Sequence, residues 1–284
     1  MKLIKKLSAV TILSSLVFTS IPTNAATPKT LTAHFIDIGQ GDATYIKMPN
    51  GDDILIDAGS KAKGEDVVAY LKKKKVDDIE YMIATHPDAD HIGGLDEVLA
   101  AFKVENVYAP KVSHTTQAYK DFLTAVKKEK LTIKTAKAGV ELPIKDKTVK
   151  AKFIAPVKEY AKSDLNNWSA VIHINYNKNN FLFAGDAELK SENDMIAAKS
   201  LSKVDVLKVG HHGSKDSSSK NFLSKIKPTY SIISVGAKNS YKHPTSETLK
   251  RLSAIKTKVF RTDKNGTIRV TSDGKKVTLA VDKK

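Results

Sequence analysis

The hydrophobic positions along the chain follow two periods: short apolar runs of strand type and longer segments with helical spacing. In the first half, strand-type runs occur at 31–37, 43–47, 53–57, 78–85 and 104–109. The run at 53–57 is almost continuously apolar between two aspartates, which is typical of a strand buried on both faces. Helical spacing is found at 64–75, 95–102 and 117–130. The first half therefore predicts alternating strands and helices, as in α/β proteins.

The second half continues the pattern with more strands and fewer helices. The segment 131–157 is rich in strand-type residues, and 191–198 has helical spacing. Further strands are predicted at 170–176, 181–184, 204–209, 230–235, 259–261, 267–271 and 277–281. The first two of these would form a hairpin. Because no low-complexity linker divides the sequence, a single domain with two sheets and flanking helices is the simplest organisation.

The N-terminal segment has the pattern of an export signal. A positive start is followed by an apolar run at 7–21 and by the small residues of 23–25. This predicts a signal peptide over 1–25 and a working domain over 26–284. A membrane anchor is the alternative, but the run is short for a bilayer span and contains serine and threonine. We therefore expect a bacterial protein that is secreted or held at the cell surface or wall, with no membrane span after cleavage.

Composition and charge narrow the classes of function. The 284 residues are 41% hydrophobic and 27% charged, which is ordinary for a folded protein. The absence of cysteine excludes disulfides, thiolate metal sites and thiol catalysis. The net charge is +16, and residues 1–25 contribute three lysines and no acidic residue to it, so the remainder carries +13. A basic protein outside the cell favours an anionic partner such as nucleic acid or a wall polymer. The oligomeric state stays open.

A cluster of histidine and aspartate follows the predicted strand at 78–85. His86, Asp88, Asp90 and His91 lie within six residues, ahead of two glycines that allow a tight turn. So many ionisable groups in a compact loop would repel each other without a neutralising charge, and imidazole and carboxylate are zinc's usual ligands where cysteine is absent. A solvated polar loop is the alternative. The cluster predicts a metal site.

Two further strand ends carry residues of the same kind. Asp186 follows the strand at 181–184, and a carboxylate there is suited to bridging two cations. His211 and His212 follow the strand at 204–209. Adjacent histidines point in different directions, so one could bind metal while the other faces substrate or supports a ligand. Three such clusters are expected to meet at one sheet edge.

These residues resemble those of a known family. The loop from His86 to His91 is similar to the HxHxDH signature of the metallo-β-lactamase superfamily, with Asp88 in place of the middle histidine. The extracellular domain of ComEC/Rec2-type DNA-uptake proteins, and its soluble relatives, also resemble this chain at 35–42, 57–59, 85–94, 167–169, 185–188 and 211–214. Choline-phosphate esterases of pneumococcal type share the layout. The resemblance covers about 31–281 and implies an α/β fold, the four-layer αββα sandwich.

The resemblance also implies a site for two divalent metal ions, with zinc expected and manganese as the alternative. Its ligands would come from His86, Asp88, Asp90, His91, Asp186, His211 and His212. Asp186 would bridge the ions, and which histidine of the 211–212 pair binds is left open. Asp37 and Asp57 would hold ligand histidines in place. The histidine usually found near 166–169 is absent, so the first metal site would be rich in oxygen ligands and weaker.

Roles in catalysis follow from the same resemblance. Asp90 or the bridging Asp186 is predicted to orient the nucleophile, while Asp88 and His243 would handle the proton of the leaving group. The predicted substrate contacts are Ser214, His243 and Asn167. For His243, an exposed loop histidine without a role is the alternative.

The function expected from these features is a secreted hydrolase with two metal ions. It would act as a phosphodiesterase or nuclease on DNA or another polyanion, by attack of a metal-activated hydroxide. The first alternative is a teichoic-acid or choline-phosphate esterase, followed by a lactonase or β-lactamase. β-Lactamase activity is disfavoured because Asp88 breaks the His-x-His pair of those enzymes. A non-catalytic binding protein on the same scaffold is the last alternative.

Overall fold

A computed structural model describes residues 29–283. The predicted signal peptide at 1–25 and the start of the predicted domain at residue 26 lie outside this range. Within the described residues, no helix is both long and apolar enough to cross a membrane.

Fourteen strands are found in the described part of the chain. Their bounds are β1 Leu31–Phe35, β2 Ala43–Lys47, β3 Asp53–Ala58, β4 Asp78–Ile83, β5 Lys103–Ala109, β6 Ile133–Thr135, β7 Val149–Phe153, β8 Ile172–Tyr176, β9 Asn179–Phe183, β10 Val206–Lys208, β11 Tyr230–Ile233, β12 Lys258–Arg261, β13 Ile268–Ser272 and β14 Val277–Val281. The predicted bounds of β2 and β14 match the structure. All six residues of β3 are buried, as its apolar run predicted.

The strands form two mixed sheets. The first has the order β14-β13-β1-β2-β3-β4-β5-β6 and is antiparallel from β14 to β3 and parallel from β3 to β6. The second has the order β12-β11-β10-β9-β8-β7 and is parallel from β12 to β9, then antiparallel. The hairpin predicted from the sequence is β8–β9, in which Ile172 pairs with Phe183.

The helices cover the outer faces of the sheets. They are α1 Gly64–Lys73, α2 Ala89–Ile92, α3 Leu95–Ala101, α4 Gln117–Lys128, α5 Leu189–Ala197, α6 Lys220–Ile226, α7 Ser246–Ala254 and α8 Thr262–Asn265. Helices α4, α6 and α7 begin after Thr116, Ser219 and Thr245, whose side chains each accept a backbone N–H of the first turn. The sequence pattern predicted α4 but neither α6 nor α7.

Three layers of buried apolar side chains hold the sheets and helices together. The central layer, between the two sheets, includes Phe35, Phe153 and Phe183. One outer layer packs α1, α3 and α4 on the first sheet, and the other packs α5, α6 and α7 on the second. Each fully buried large side chain contributes about 1.5–3 kcal/mol. The arrangement is the four-layer αββα sandwich expected from the resemblance.

Strand direction brings the predicted site together. Strands β3 and β4 run parallel in the first sheet, and β9, β10 and β11 run parallel in the second. The loops after their carboxyl ends meet at one edge of the sandwich, where ligand sites of α/β sheets lie. These loops carry the histidine and aspartate clusters.

Candidate metal centre

The loop after β4 is held tightly against its neighbours. A Cβ at Gly94 would lie 2.5 Å from the carbonyl oxygen of Ala58, so only glycine allows this approach of the backbone. His86 precedes the single turn of α2, and His91 lies within it. Both side chains are buried, with ring centroids 4.2 Å apart. The loop thus places two imidazoles side by side, as its sequence predicted.

Asp186 is the centre of the cluster. Its Oδ2 atom lies 3.3 Å from Nε2 of His91 and 3.4 Å from Nε2 of His212. The same oxygen is 3.8 Å from Nε2 of His211 and 4.0 Å from Nε2 of His86. Four imidazoles therefore surround one buried carboxylate, in the position predicted for a bridging ligand.

Asp88 and Asp90 lie on two sides of this centre. Oδ2 of Asp88 is 3.4 Å from Nε2 of His86, and Oδ2 of Asp90 is 3.4 Å from Nε2 of His212. Both carboxylate side chains are 35% exposed, whereas the imidazoles of His86 and His212 are buried. The cluster therefore divides into two halves that share Asp186 and open to solvent at the two aspartates.

Buried atoms without partners test whether metal ions fit this centre. In residues 29–283, Nε2 of His86, His91 and His212 and Oδ1 of Asp186 are buried and have no hydrogen-bond partner. Each unsatisfied buried polar atom costs about 1–3 kcal/mol. Nitrogen and oxygen atoms of this kind are zinc ligands. Three groups of three ligand residues have their donor atoms within 4.8 Å of one another, namely His86, His91, Asp186; Asp90, His91, His212; and Asp42, Asp57, His91. The first two lie around Asp186. The residues fit divalent metal ions.

Asp57 orients His91. Nδ1 of His91 donates to Oδ2 of Asp57 at 2.8 Å, which leaves Nε2 facing Asp186. Thr85 donates its backbone N–H and its hydroxyl to the same carboxylate, at 2.8 and 2.6 Å. The predicted supporting role of Asp57 agrees with this geometry. Asp37 does not share it, because its carboxylate accepts from the amide of Gly39 and from Lys283 and contacts no histidine.

The pair at 211–212 divides between the interior and the rim. His212 is buried, and its Nδ1 donates to the carbonyl oxygen of Ser234 at 2.9 Å. His211 is partly exposed, and its Nδ1 lies 2.8 Å from Oε1 of Glu188. Glu188 also accepts from Nδ2 of Asn166 at 2.9 Å. The geometry assigns His212 to the half of the centre with Asp90 and places His211 at the rim.

Sequence reasoning missed Asp42 and Lys208. Both side chains are buried, and Nζ of Lys208 lies 2.5 Å from Oδ2 of Asp42. Oδ1 of Asp42 is 3.3 Å from Nδ1 of His212. A lysine inside the apolar strand β10 and an aspartate in a glycine-rich turn were the available signals. Their ion pair supports His212 from behind.

Two predicted substrate contacts are buried and hydrogen-bonded to neighbouring turns. Asn167 is buried, its Nδ2 donates to Asp164 at 2.7 Å, and its Oδ1 accepts from the backbone N–H of Ser191 at 2.9 Å. Ser214 is buried, and its hydroxyl accepts from the backbone N–H of Asp216 at 3.2 Å. Both side chains thus hold turns in the structure, and their contacts with substrate stay predictions.

His243 does lie beside the centre. It belongs to the mouth loop, which is the segment 236–245. The ring of His243 meets that of His211 edge-on at 5.2 Å, and Tyr241 stacks on His243 at 5.8 Å with 24° between the planes. Burial lowers the pKa of His243, and the neighbouring His211 and His212 add to this effect. The mouth loop thus forms one wall of the opening.

Charges within the centre are strongly coupled. Burial raises the pKa of Asp90, but the neighbouring imidazoles of His212 and His91 outweigh it and hold the pKa below its usual range. Burial lowers the pKa of His212, but the charge of Asp186 and the contacts with Asp42 and Asp90 raise it to about 10. Protons on the imidazoles therefore balance the carboxylates, and a bound cation would replace those protons.

Comparisons with known proteins show which family profile the chain matches and which proteins it resembles in sequence. Residues 36–237 match the profile of the metallo-beta-lactamase superfamily. ComE operon protein 3 of Bacillus subtilis is 33% identical over 250 residues, covering 82% of this chain and 32% of the relative. Recombination protein 2 of Haemophilus influenzae is 35% identical over 240 residues, covering 83% of this chain and 28% of that relative. The chain therefore spans about a third of the length of these relatives.

A solved structure shows the same fold at low identity. A putative metal-dependent hydrolase from Parabacteroides distasonis is 13% identical, with a TM-score of 0.53 over 82% of this chain and 93% of that one. The metallo-beta-lactamase fold protein YhfI from Bacillus subtilis is 12% identical, with a TM-score of 0.50 over 81% and 96%.

Proposed function

The chain belongs to the metallo-β-lactamase superfamily and is related to ComEC/Rec2-type competence proteins, and on that premise we propose that it is a secreted phosphodiesterase that cleaves nucleic acid. Members of the superfamily are generally metal-dependent hydrolases. One observation carries the proposal. Three buried imidazole Nε2 atoms and one buried carboxylate oxygen have no hydrogen-bond partner in the described residues, and all lie around Asp186.

Two divalent ions, zinc or manganese, would be held in the two halves of the centre. His86 and Asp88 would hold one ion, Asp90, His91 and His212 the other, and Asp186 both. Bound there, the ions would supply acidity to water and stabilise negative charge on the oxygens of a phosphodiester.

The protein's own hydrogen bonds prepare the ligand atoms for this role. A carbonyl oxygen can only accept, so the contact with Ser234 fixes the proton of His212 on Nδ1 and leaves Nε2 free. Asp57 does the same for His91. Such outer partners hold ligand rings in orientation and raise their basicity. The centre is therefore organised before any ion binds.

A nucleic acid substrate agrees with the surface around the centre. A cleft of about 640 Å³ is lined by Lys111, Lys162 and Tyr160 among others. Pro110 lines both this cleft and the small cavity beside His86, so the two are neighbours. The basic excess of the chain attracts polyanions. Names of the relatives refer to competence and recombination, which accords with DNA as the substrate.

Cleavage assays with matched variants test the proposal. The full chain, loaded with Zn²⁺ or Mn²⁺, is incubated with single- and double-stranded DNA, RNA and poly(glycerol phosphate). We expect cleavage of nucleic acid, a loss of at least about 100-fold in Asp186→Asn, and full activity in Asp66→Asn, a surface control on α1. Metal analysis should find two equivalents.

Two results would overturn the proposal. Cleavage of poly(glycerol phosphate) without cleavage of nucleic acid would favour the teichoic-acid esterase. Less than one equivalent of metal after reconstitution would favour a binding protein without catalysis.

A further inference from the structure

We infer that the mouth loop recognises one unpaired base and its flanking phosphates, with Tyr241 stacking on the base and Lys238 and Lys242 contacting the phosphates. This inference rests on the proposed function and specifies its substrate as single-stranded nucleic acid. It concerns binding, so it can be tested without turnover.

Tyr241 is the outermost ring in a series that leads to the centre. Its side chain is 64% exposed, the highest value among the three exposed large hydrophobic residues of the described chain, and it is the aromatic one. From Tyr241 the rings continue through His243 and His211 at centroid distances of 5.8 and 5.2 Å. A base stacked on Tyr241 would thus lie next to the opening where its phosphodiester could be cleaved.

The mouth loop is held rigidly in this position. Asn239 donates from Nδ2 to the carbonyl oxygens of Gly236 and His243 at 2.9 and 2.7 Å, and its Oδ1 accepts the backbone N–H of His243 at 3.0 Å. The backbone N–H of Thr245 donates to the carbonyl of Gly213, beside the two histidines. A loop that is already ordered loses little conformational freedom when a ligand binds.

Both lysines have the left-handed backbone conformation. The φ angles of Lys238 and Lys242 are +54° and +59°, a region that residues other than glycine rarely occupy. Both side chains are exposed, and neither forms an ion pair within residues 29–283. They are available to an anionic ligand, one before and one after Tyr241 in the sequence.

The combination of a planar ring and two free cations selects among polyanions. Wall polymers of the polyol phosphate type carry the charge but have no planar ring to stack on tyrosine. A choline group could contact an aromatic face, but two neighbouring ammonium groups would repel it. In a duplex the bases are stacked within the helix, so a free base face comes from a single strand.

Binding measurements with metal removed by EDTA test the role of the ring. Fluorescence anisotropy compares a labelled oligo-dT with an abasic oligonucleotide of equal length. Tyr241→Ala should weaken oligo-dT binding roughly 5- to 100-fold, the range for one stacked base. Tyr241→Phe should bind within about twofold of wild type. Leu123→Ala, which removes another exposed apolar side chain, should have no effect.

Salt dependence tests the role of the lysines. The slope of log K against log salt is about 0.7 per phosphate contact for single strands. Lys238→Gln with Lys242→Gln should therefore lower its magnitude by about 1.4. The matched control, Lys127→Gln with Lys128→Gln on the outer helix α4, removes the same charge and should leave the slope unchanged.

The outcomes separate this inference from the proposed function. Oligo-dT binding that is unchanged in Tyr241→Ala would overturn the inference, even if wild type cleaves DNA. So would an equal loss of binding to the abasic oligonucleotide or to poly(glycerol phosphate). Binding to oligo-dT through Tyr241, without cleavage of any nucleic acid in Zn²⁺ or Mn²⁺, would support the recognition and overturn the phosphodiesterase.

Discussion

Replacing Asp57 by asparagine should move a proton within the metal centre. The Asp57 carboxylate is fully buried, and it accepts three hydrogen bonds, two from Thr85 and one from Nδ1 of His91. In Asp57→Asn, Oδ1 can still accept the backbone N–H of Thr85, but an NH₂ group would face His91. Because that group donates, the His91 proton would shift to Nε2, the atom that faces Asp186. His91 would then no longer offer a lone pair to the ion.

The magnitude follows from the contacts that change. Loss of an outer partner of a ligand histidine typically lowers metal affinity about 10- to 100-fold, or about 1.4–2.8 kcal/mol. The fold also loses hydrogen bonds to a charged group, each worth about 1.5–3 kcal/mol. Stability alone therefore cannot distinguish a role in metal binding from a structural one.

Asp53→Asn is the matched control for this purpose. Asp53 is a buried aspartate at the opposite end of the same strand β3, and its carboxylate accepts from Tyr45 and Lys47 at 2.8 and 2.9 Å. Both variants should unfold at lower urea concentration than wild type. Competition with a chromophoric zinc chelator should show weaker binding in Asp57→Asn alone, and nitrogen NMR should show the His91 proton on Nε2. Equal zinc affinity in Asp57→Asn and wild type, or an equal loss of zinc affinity in Asp53→Asn, would contradict the predicted role of Asp57 in metal binding.

Three further predictions concern stability. Burial, reinforced by the charges of Lys74 and Arg269, lowers the pKa of His34 to about 4. The unfolded chain therefore binds the proton more tightly than the folded protein does. The free energy of unfolding should be highest above about pH 6.5 and should fall by roughly 3 kcal/mol as the pH reaches 4. Urea titrations of wild type and His34→Gln check this, because the variant should lack that part of the loss. Lys208→Met leaves Asp42 buried without its cation and should lower the free energy of unfolding by about 3–5 kcal/mol. Adding Asp42→Asn should recover part of this loss. If the losses of the two single variants simply add in the double variant, the pairing is contradicted. Zinc at about 100 times its Kd should raise the unfolding free energy of EDTA-treated protein by about 2.7 kcal/mol, and a similar gain in Asp186→Asn would argue against the centre.

Strands were predictable because their patterns are local. The period of apolar residues alone places β2 and β14, and the continuous run in β3 predicts its burial on both faces. The short helices α6 and α7 were missed because each contains only three apolar residues, too few to establish a helical period. Only packing on the second sheet shows what Phe222, Leu223 and Leu252 bury. Their capping residues, Ser219 and Thr245, were the local signals that could have located them.

From the sequence, the site could be predicted only where its residues directly follow a strand. Histidines and aspartates that follow parallel strands must meet, so His86, His91 and Asp186 could be brought together from sequence. The ion pair of Asp42 and Lys208 joins the first sheet's loop to the second sheet; each residue is conspicuous in the sequence, but nothing local shows that the two meet. Asn167 was predicted at the site, but it is Asn166 that reaches the rim. The single turn Leu165–Trp168 sends the amide of Asn166 toward Glu188 and that of Asn167 toward Asp164.

Asp88 stands where the family has a histidine, but in the structure this does not leave the centre short of imidazoles. A second histidine of the family, usually found near 166–169 and absent here, would lie near Ser169, whose hydroxyl lies 3.5 Å from Nδ1 of His86. His211 brings an imidazole to the same side of Asp186 from another element, held there by Glu188. A left-handed backbone at both 211 and 212 turns the adjacent rings to different sides, 70° apart. One motif thus supplies an interior nitrogen and a rim nitrogen, so the loss of two family histidines leaves a centre that still has four imidazoles.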